Sequence, residues 1–207
     1  MGDLKKRIVW KSGHFIVIKV RENLYTVARM TGKTVLCIYD VFREDDYWDD
    51  IDWSGVEALF QVFVGAVVQK NLGVRKISVE GIQSRFLKLQ RYWLKPYTSL
   101  DGAHFKGGRE TFSFYGGRLI DVGEVENPET YGAPVIKHDL SVYDDREIIE
   151  TYELTNMWGD LDLSDRLARY YDTGVNRDDL KFEVFPGLWK DREKLRPLTR
   201  RLPVPLR

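Results

Sequence analysis

Hydrophobic and polar positions alternate in short runs through the first third of the chain. Three runs rich in β-branched residues, separated by short polar breaks, predict an antiparallel meander of strands over 15–20, 24–30 and 34–42. The apolar run 58–68 favours a strand buried on both faces, which ends near Gly65 and gives way to a helical turn. A helix over the whole of that run is the competing interpretation.

Further strands are predicted in the middle of the chain. Residues 89–95 form a strand candidate that Pro96 is expected to end, because proline cannot donate to a ladder. The pair Gly116–Gly117 lies between the alternating runs 111–115 and 118–122. This pattern predicts a hairpin whose tight turn needs positive φ.

The last third of the chain carries helical patterns. Asp145 is a candidate N-cap for one helix, and Asp160 or Asp162 for a second. Apolar residues in the second segment recur three and four positions apart, and Gly174 is expected to end it. Two helices are therefore predicted after the strand-rich part.

Together these patterns predict an α+β protein that is predominantly antiparallel β, with a meander or an SH3-like barrel followed by C-terminal helices. We expect a β domain over 1–130 and a helical extension over 131–207, packed as one unit. The extension ends in a basic, proline-rich tail at 195–207, which is predicted to be extended. The glycines of residues 98–110 predict an exposed loop.

The composition changes this picture little but excludes several classes of protein. The 207 residues are 43% hydrophobic, which is enough for a sizeable core, and 32 basic residues balance 32 acidic ones. A neutral chain has no overall field to attract nucleic acid or membrane. The only cysteine, Cys37, lies in an apolar run, and no run approaches the ~20 apolar residues that span a bilayer. We expect a reduced, soluble, cytoplasmic protein without a signal peptide.

The charge is nevertheless unevenly placed. Residues 40–57 contain eight acidic residues and one basic residue, Arg43, between two strand-like runs. Acidic side chains with neighbouring aromatics are a plausible docking surface for a basic protein. The residues predicted to bind are Asp45, Asp46, Tyr47, Trp48, Asp49, Asp50, Asp52 and Trp53. The alternative is a solvated linker whose two tryptophans belong to the core.

Two other bands leave further functions open. Residues 139–165 hold nine acidic residues against Arg146 and form a second candidate docking surface. Residues 70–95 hold seven basic residues against one acidic residue, with aromatics among them. That band suggests an alternative function, namely a β-barrel module that binds nucleic acid by stacking the bases on aromatic side chains beside the basic ones. Inward-facing aromatics with outward-facing cations are the simpler explanation of the same pattern.

No catalytic constellation is visible. The three histidines, His14, His104 and His138, have no metal-ligand spacing, and the chain lacks a nucleophile elbow, a P-loop and a dinucleotide-binding motif. Adjacent acids on loops do not provide the separated environments that acid–base pairs need. We therefore predict no catalytic residue, no metal and no cofactor. A hydrolase that uses loop acids is the least favoured hypothesis.

The order of the strand motifs is familiar. The segments Gly13-His-Phe-Ile-Val-Ile-Lys19, Leu24-Tyr-Thr-Val-Ala-Arg29, Val35-Leu-Cys-Ile-Tyr-Asp-Val-Phe42 and Leu59-Phe-Gln-Val-Phe-Val64 precede or flank the acidic loop. This arrangement resembles the immunity protein 26 family of bacterial polymorphic toxin systems. The resemblance covers about residues 10–95, is weaker over 111–125, and leaves 135–207 unexplained.

The resemblance implies a function. A member of that family would bind and inactivate a cognate toxin by direct protein–protein contact, and no catalytic residues are carried over. Many toxins that cut nucleic acid have basic clefts, which an acidic loop can occupy by imitating phosphate charge. We therefore expect an immunity protein whose partner is a toxin, with a basic nuclease-type domain as the candidate. Trp48 or Trp53 is expected to anchor the contact.

Overall fold

The computed structural model describes residues 8–32, 34–81, 90–98, 113–124 and 127–189. The strands are β1 (Phe15–Arg21), β2 (Leu24–Thr31), β3 (Val35–Arg43), β4 (Ala58–Val64), β5 (Gly73–Ile77), β6 (Tyr92–Thr98), β7 (Phe114–Asp121), β8 (Val135–Lys137) and β9 (Met157–Trp158). The helices are α1 (Ala66–Asn71), α2 (Arg146–Thr151), α3 (Asp160–Thr173) and α4 (Leu180–Val184), and a 3₁₀ turn spans Trp53–Gly55. The fold is α+β, as predicted.

The larger sheet has six strands in the order β5-β1-β2-β3-β4-β9. Strands β1 to β4 form the predicted antiparallel meander, with Val17 opposite Val27 and Cys37 opposite Gln61. The tight link between β1 and β2 places Asn23 at φ 54°, a conformation that asparagine tolerates better than most residues. The sheet is open, with β5 and β9 at its edges, so the meander forms and the barrel does not.

The apolar run 58–68 forms a strand followed by a short helix, as predicted. Its first half is β4, which is buried from Phe60 to Val64, and α1 follows Gly65. A helix over the whole of 58–68 is therefore excluded. The edge strand β9 joins β4 in parallel, pairing Phe63 with Met157.

The main core lies on one face of the large sheet, beneath α3. Alternating residues of the strands point to this face, including Ile16, Ile18 and Leu36, and they pack with Leu163 and Leu167 of α3. The helix buries one stripe, as its three- and four-residue spacing predicted. Helix α3 is thereby fixed across the sheet that carries the acidic segment.

The smaller sheet, in the order β6-β7-β8, lies between the large sheet and the helices α2 and α4. On one face Trp93 meets Phe63 of β4, with ring centroids 4.5 Å apart. On the other face Leu94 and Leu119 pack with Phe185 and other apolar side chains of the C-terminal part. The C-terminal part also supplies β8 and β9, so it contributes strands to both sheets as well as helices.

The predicted hairpin at Gly116–Gly117 is wrong. Strand β7 continues through both glycines, with a shift of register relative to β6 between Gly117 and Phe114, and Gly116 has φ 81°. A Cβ on Gly117 would lie 3.1 Å from the Lys95 carbonyl oxygen and 3.1 Å from Phe185 Cζ. The glycine therefore permits the close approach of β6 and α4, which is the other physical reason for glycine in a strand.

The predicted end of β6 at Pro96 is also wrong, because the strand continues to Thr98. Pro96 is tolerated since β6 is the edge strand of its sheet, where no ladder bond is lost. The predicted tail at 195–207 and the loop at 98–110, apart from Thr98, lie outside the described residues.

The two predicted helices form, but the N-cap of the second is Gly159, and Asp160 and Asp162 lie within its first turn. Helix α3 ends at Gly174, which has the left-handed φ of 71° expected of a C-terminal glycine. Helix α2 follows Asp145, but that side chain makes no capping bond to the helix. It accepts instead from Lys137 Nζ and from the Ser141 amide, so it ties β8 to the turn before α2.

Candidate functional site

The acidic loop, residues 44–57, connects β3 to β4. Its two tryptophans lie beneath it: Trp48 is 4% exposed and Trp53 is 8% exposed. Their rings stack with centroids 6.1 Å apart, against Val17 and Val27 on the sheet face opposite α3. The expectation that an indole anchors a contact surface is therefore wrong for this structure, because both indoles belong to a core.

Some of the predicted acids are neutralised within the protein. The Trp48 indole donates to Asp46 Oδ1 at 2.7 Å, and Arg75 Nε donates to Asp46 Oδ2 at 2.8 Å. Arg43 holds both Asp45 and Asp50, at 3.3 and 2.9 Å. The Arg43 pairs join the acidic loop to the end of β3, and the Arg75 pair joins it to β5.

Another acid has a local structural role. Asp52 Oδ1 accepts from the Ser54 amide at 3.0 Å, at the start of the 3₁₀ turn that contains Trp53. The Ser54 hydrogen bonds hold the pKa of Asp52 below its ordinary value. Asp52 therefore stays ionised and exposed while it shapes the loop.

The loop still presents unpaired negative charge. Glu44, Asp49 and Glu57 are exposed, and none of them makes an ion pair with the described part of the chain. Tyr47 is 51% exposed on the same loop. Of the predicted binding residues, the structure thus leaves Tyr47 and the carboxylates at the surface and removes both tryptophans.

In the described part of the basic band 70–95, the aromatic side chains pack against other parts of the protein: Tyr92 is half-buried, with its ring centroid 5.9 Å from that of Tyr152. Trp93 is 1% exposed, so its face is unavailable to a base. Arg91 forms two 2.7 Å bonds to Asp121, and Lys95 donates to the Thr130 carbonyl oxygen. The aromatic at 86 and the cations at 85 and 88 lie outside the described residues.

Cys37 is fully buried, as its apolar run predicted. Burial raises the pKa of its thiol to about 11. The thiol is therefore protonated at neutral pH, and its place is that of a small core hydrophobe. Within the described ranges, no three His, Cys, Asp or Glu side chains are grouped closely enough to hold a metal ion.

A second cluster of charged side chains was not predicted from the sequence. It lines a cavity of about 300 Å³ between β4 and the C-terminal helices. Four of its ionisable residues are almost fully buried. These are Glu153, Arg166, Asp178 and Lys181.

Arg166 and Glu153 form the centre of this cluster. The guanidinium donates to both carboxylate oxygens, at 2.6 and 2.9 Å, and its Nε donates to Asn176. It also lies 3.8 Å from the Phe60 ring centroid and 5.3 Å from that of Trp158. The pair thus links α3, the segment after α2 and the large sheet.

Arg166 and Glu153 shift each other's pKa. Burial alone raises the pKa of Glu153, but the charge and hydrogen bonds of Arg166 outweigh it and hold that pKa below its ordinary value. Lys181 forms no such hydrogen-bonded pair in the described part of the chain, and burial lowers the pKa of its ammonium although the charges of Glu153 and Asp178 oppose that shift. A signal for this cluster does exist in the sequence. Arg166 falls in the apolar stripe of α3, three residues after Leu163, where a solvated arginine is not expected.

Comparison with known proteins covers both regions. A family model described as Domain of unknown function (DUF8309) matches residues 5–190. The chain belongs to the DUF8309 family. No curated protein and no solved structure matches it.

The DUF8309 match includes the acidic loop and every residue named at the cavity. Both features are therefore parts of the DUF8309 domain itself. None of the helices in the described ranges is long and apolar enough to cross a membrane.

Proposed function

We propose that this DUF8309 protein is an immunity protein, which neutralises a cognate bacterial toxin in the cytoplasm by direct protein–protein binding. The acidic loop is the docking surface, and a basic nuclease-type domain is the partner. The protein acts by binding its partner and carries out no reaction of its own. The strand motifs that resemble the immunity protein 26 family support this function.

One observation carries the proposal: the acidic loop exposes unpaired carboxylates, while the side chains beneath it hold it in place. Trp48 and Trp53 fasten the loop to the sheet, and the Arg75–Asp46 pair fastens it to β5. A loop that is already ordered loses little conformational freedom when it binds. Its charge therefore serves recognition and fast association with a cationic surface.

The contact residues differ from those expected of an aromatic anchor. Tyr47 is the aromatic side chain that the loop offers to a partner, and Glu44, Asp49 and Glu57 offer unpaired carboxylates. Asp45 and Asp50 remain accessible beside Arg43, with side chains 67% and 52% exposed. The two tryptophans act beneath this surface as its support.

The test compares two variants that each remove three negative charges. The loop variant is Glu44→Gln/Asp49→Asn/Glu57→Gln, which leaves every observed ion pair of the loop intact. The control variant is Glu124→Gln/Asp144→Asn/Glu147→Gln, at exposed positions elsewhere. Part of the control lies in the second acidic band, so it also examines the other candidate docking surface.

The partner is first captured from the organism that encodes the chain, using the wild-type protein as bait, and is then purified. We expect the loop variant to bind it about tenfold or more weakly, equivalent to ~1.4 kcal/mol, and to lose protection of cells that express the partner. The control variant should bind and protect like wild type. Equal binding by wild type and the loop variant would refute the proposed surface, and a captured partner that is harmless to cells would refute the immunity function.

A further inference from the structure

The cavity beside β4 contains a buried ammonium group, that of Lys181, on which the charges of Glu153 and Asp178 act without forming an ion pair with it in the described part of the chain. Lys181 is 2% exposed, yet within the described part of the chain it forms no ion pair. Among the described residues, its ammonium makes one hydrogen bond, which runs to the Glu150 carbonyl oxygen and is long, at 3.3 Å. An ammonium group has more donors than this bond uses, and burying it unpaired is costly. A ligand that brings an anionic oxygen would remove that cost.

A second donor lies on the same cavity. The side-chain nitrogen of Gln90 is buried and has no hydrogen-bond acceptor among the described residues, although Gln90 lines the cavity with Lys181. Buried polar groups in proteins nearly always have a partner, or await one from water or a ligand. An ammonium and an amide donor on one cavity together suit a carboxylate.

The charge of the cavity lining determines the rest of the ligand. Its acidic residues are Glu150, Glu153 and Asp178, and its basic residues are Arg166, Arg177 and Lys181, so the lining is neutral overall. A simple anion would leave the occupied cavity with excess negative charge. A ligand that carries one positive and one negative group keeps the balance.

The rim of the cavity offers a place for the positive group. Glu150 is exposed there, and its Oε1 accepts from the Trp189 indole at 3.0 Å and from Arg146 Nε at 3.2 Å, which leaves Oε2 for a further donor. The Arg177 guanidinium lies over the same indole, 4.8 Å from its centroid. Phe60 also lines the cavity and adds apolar surface to it.

We propose that this cavity binds a small zwitterion with the chemistry of a free amino acid, whose carboxylate is held by Lys181 and Gln90 and whose ammonium is held by Glu150. The volume of about 300 Å³ suits a ligand of that size. Burial lowers the pKa of the Lys181 ammonium, and a bound carboxylate would raise it again. The site is separate from the acidic loop and does not depend on the proposed immunity function.

The experiment titrates the full-length protein with the free proteinogenic amino acids and follows the thermal midpoint and the heat of binding. For each amino acid that binds, the corresponding amine without its carboxylate and the N-acetylated acid are titrated as well. We expect at least one free amino acid to bind saturably and to raise the thermal midpoint, whereas its two derivatives bind at least about tenfold more weakly. Absence of binding by every amino acid, or equal binding by either derivative, would overturn the proposal.

Variants then locate the site. Lys181→Met keeps the length and apolar stem of the side chain, and we expect it to weaken binding at least about tenfold while the protein stays folded. Glu150→Gln changes an exposed rim residue, so it should fold normally and also weaken binding. The matched control is Lys70→Met, at an exposed position of α1, and it should bind like wild type. Should Lys181→Met fail to fold, the result with Glu150→Gln decides, and wild-type affinity in that variant would overturn the assignment.

Discussion

Replacing Arg166 by methionine tests whether the buried ion pair at the cavity joins the C-terminal helices to the large sheet. Arg166 and Glu153 have side chains that are 3% and 9% exposed, and two short hydrogen bonds connect them. Methionine retains an unbranched apolar stem against Phe60 but leaves the Glu153 carboxylate without its partner. The perturbation is therefore mainly one of charge, with little change in packed volume.

The cost follows from the burial of the carboxylate that remains. Removing one partner of a buried ion pair typically costs about 3–5 kcal/mol, because the other charge is left uncompensated. Domains have a total stability of about 5–15 kcal/mol, so the Arg166→Met variant should lose a large part of it. The double variant Glu153→Leu/Arg166→Met removes both charges and should lie within about 1 kcal/mol of wild type, since apolar replacement of a whole buried pair is often neutral.

The pH dependence adds a second signature. In wild type, Arg166 keeps the pKa of Glu153 below its unfolded value, so this group contributes stability above the unfolded pKa and loses it as pH falls through the folded pKa. In Arg166→Met, burial should instead raise the pKa of Glu153 above its unfolded value of about 4.3. The single variant should therefore gain stability relative to wild type as pH falls from about 7 to about 5.

The assay is urea unfolding of wild type, both single variants and the double variant, at about pH 7 and about pH 5. The four free energies of unfolding form a double-mutant cycle that isolates the coupling between the two side chains. The reasoning would be refuted if Arg166→Met lowered the free energy of unfolding by less than about 1 kcal/mol. It would also be refuted if the double variant lost as much free energy of unfolding as Arg166→Met.

Three further outcomes follow from the same structure. Trp48→Ala should lower the free energy of unfolding by about 3–5 kcal/mol in urea titration, since it empties the core beneath the acidic loop, and a loss below about 1 kcal/mol would contradict that burial. Cys37 should resist a disulfide reagent at about pH 8 until urea unfolds the protein, because burial raises the pKa of its thiol to about 11, and rapid labelling of the folded protein would contradict this. Asp145→Asn should cost about 1–2 kcal/mol at neutral pH, because the Lys137 and Ser141 hydrogen bonds hold the pKa of Asp145 below its ordinary value. That contribution is present above the unfolded pKa and should fade as pH falls through the folded one, so a gap to wild type that stays constant in acid titration would contradict it.

The elements that the sequence predicted well are those with a strong local signal. The β-branched runs of β1 to β3 and the three- and four-residue spacing in α3 are signals that a single segment records by itself. The pair Gly116–Gly117 misled because a tight turn and a close strand approach both select glycine, and only Phe185 and β6, far away in the sequence, distinguish them. Long-range contacts of that kind are not written in the local pattern.

The candidate sites were predictable to different extents. The charge of the acidic loop is a local property, and it was visible in the sequence, but the depth of Trp48 and Trp53 depends on packing against β1 and β2. The cavity depends on Glu153 and Lys181 coming together from segments 28 residues apart in sequence. Only the position of Arg166 in an apolar stripe pointed to that cluster.

The central claim is that an ordered, negatively charged loop docks a cationic protein. The most direct measurement is the association rate constant of the purified partner with wild type and with Glu44→Gln/Asp49→Asn/Glu57→Gln, over a series of salt concentrations. Electrostatic steering predicts a wild-type rate that falls steeply as salt rises, and a variant rate that is about tenfold lower at low salt and much less sensitive to it. Identical rates with identical salt dependence, in variants that fold like wild type, would contradict the account.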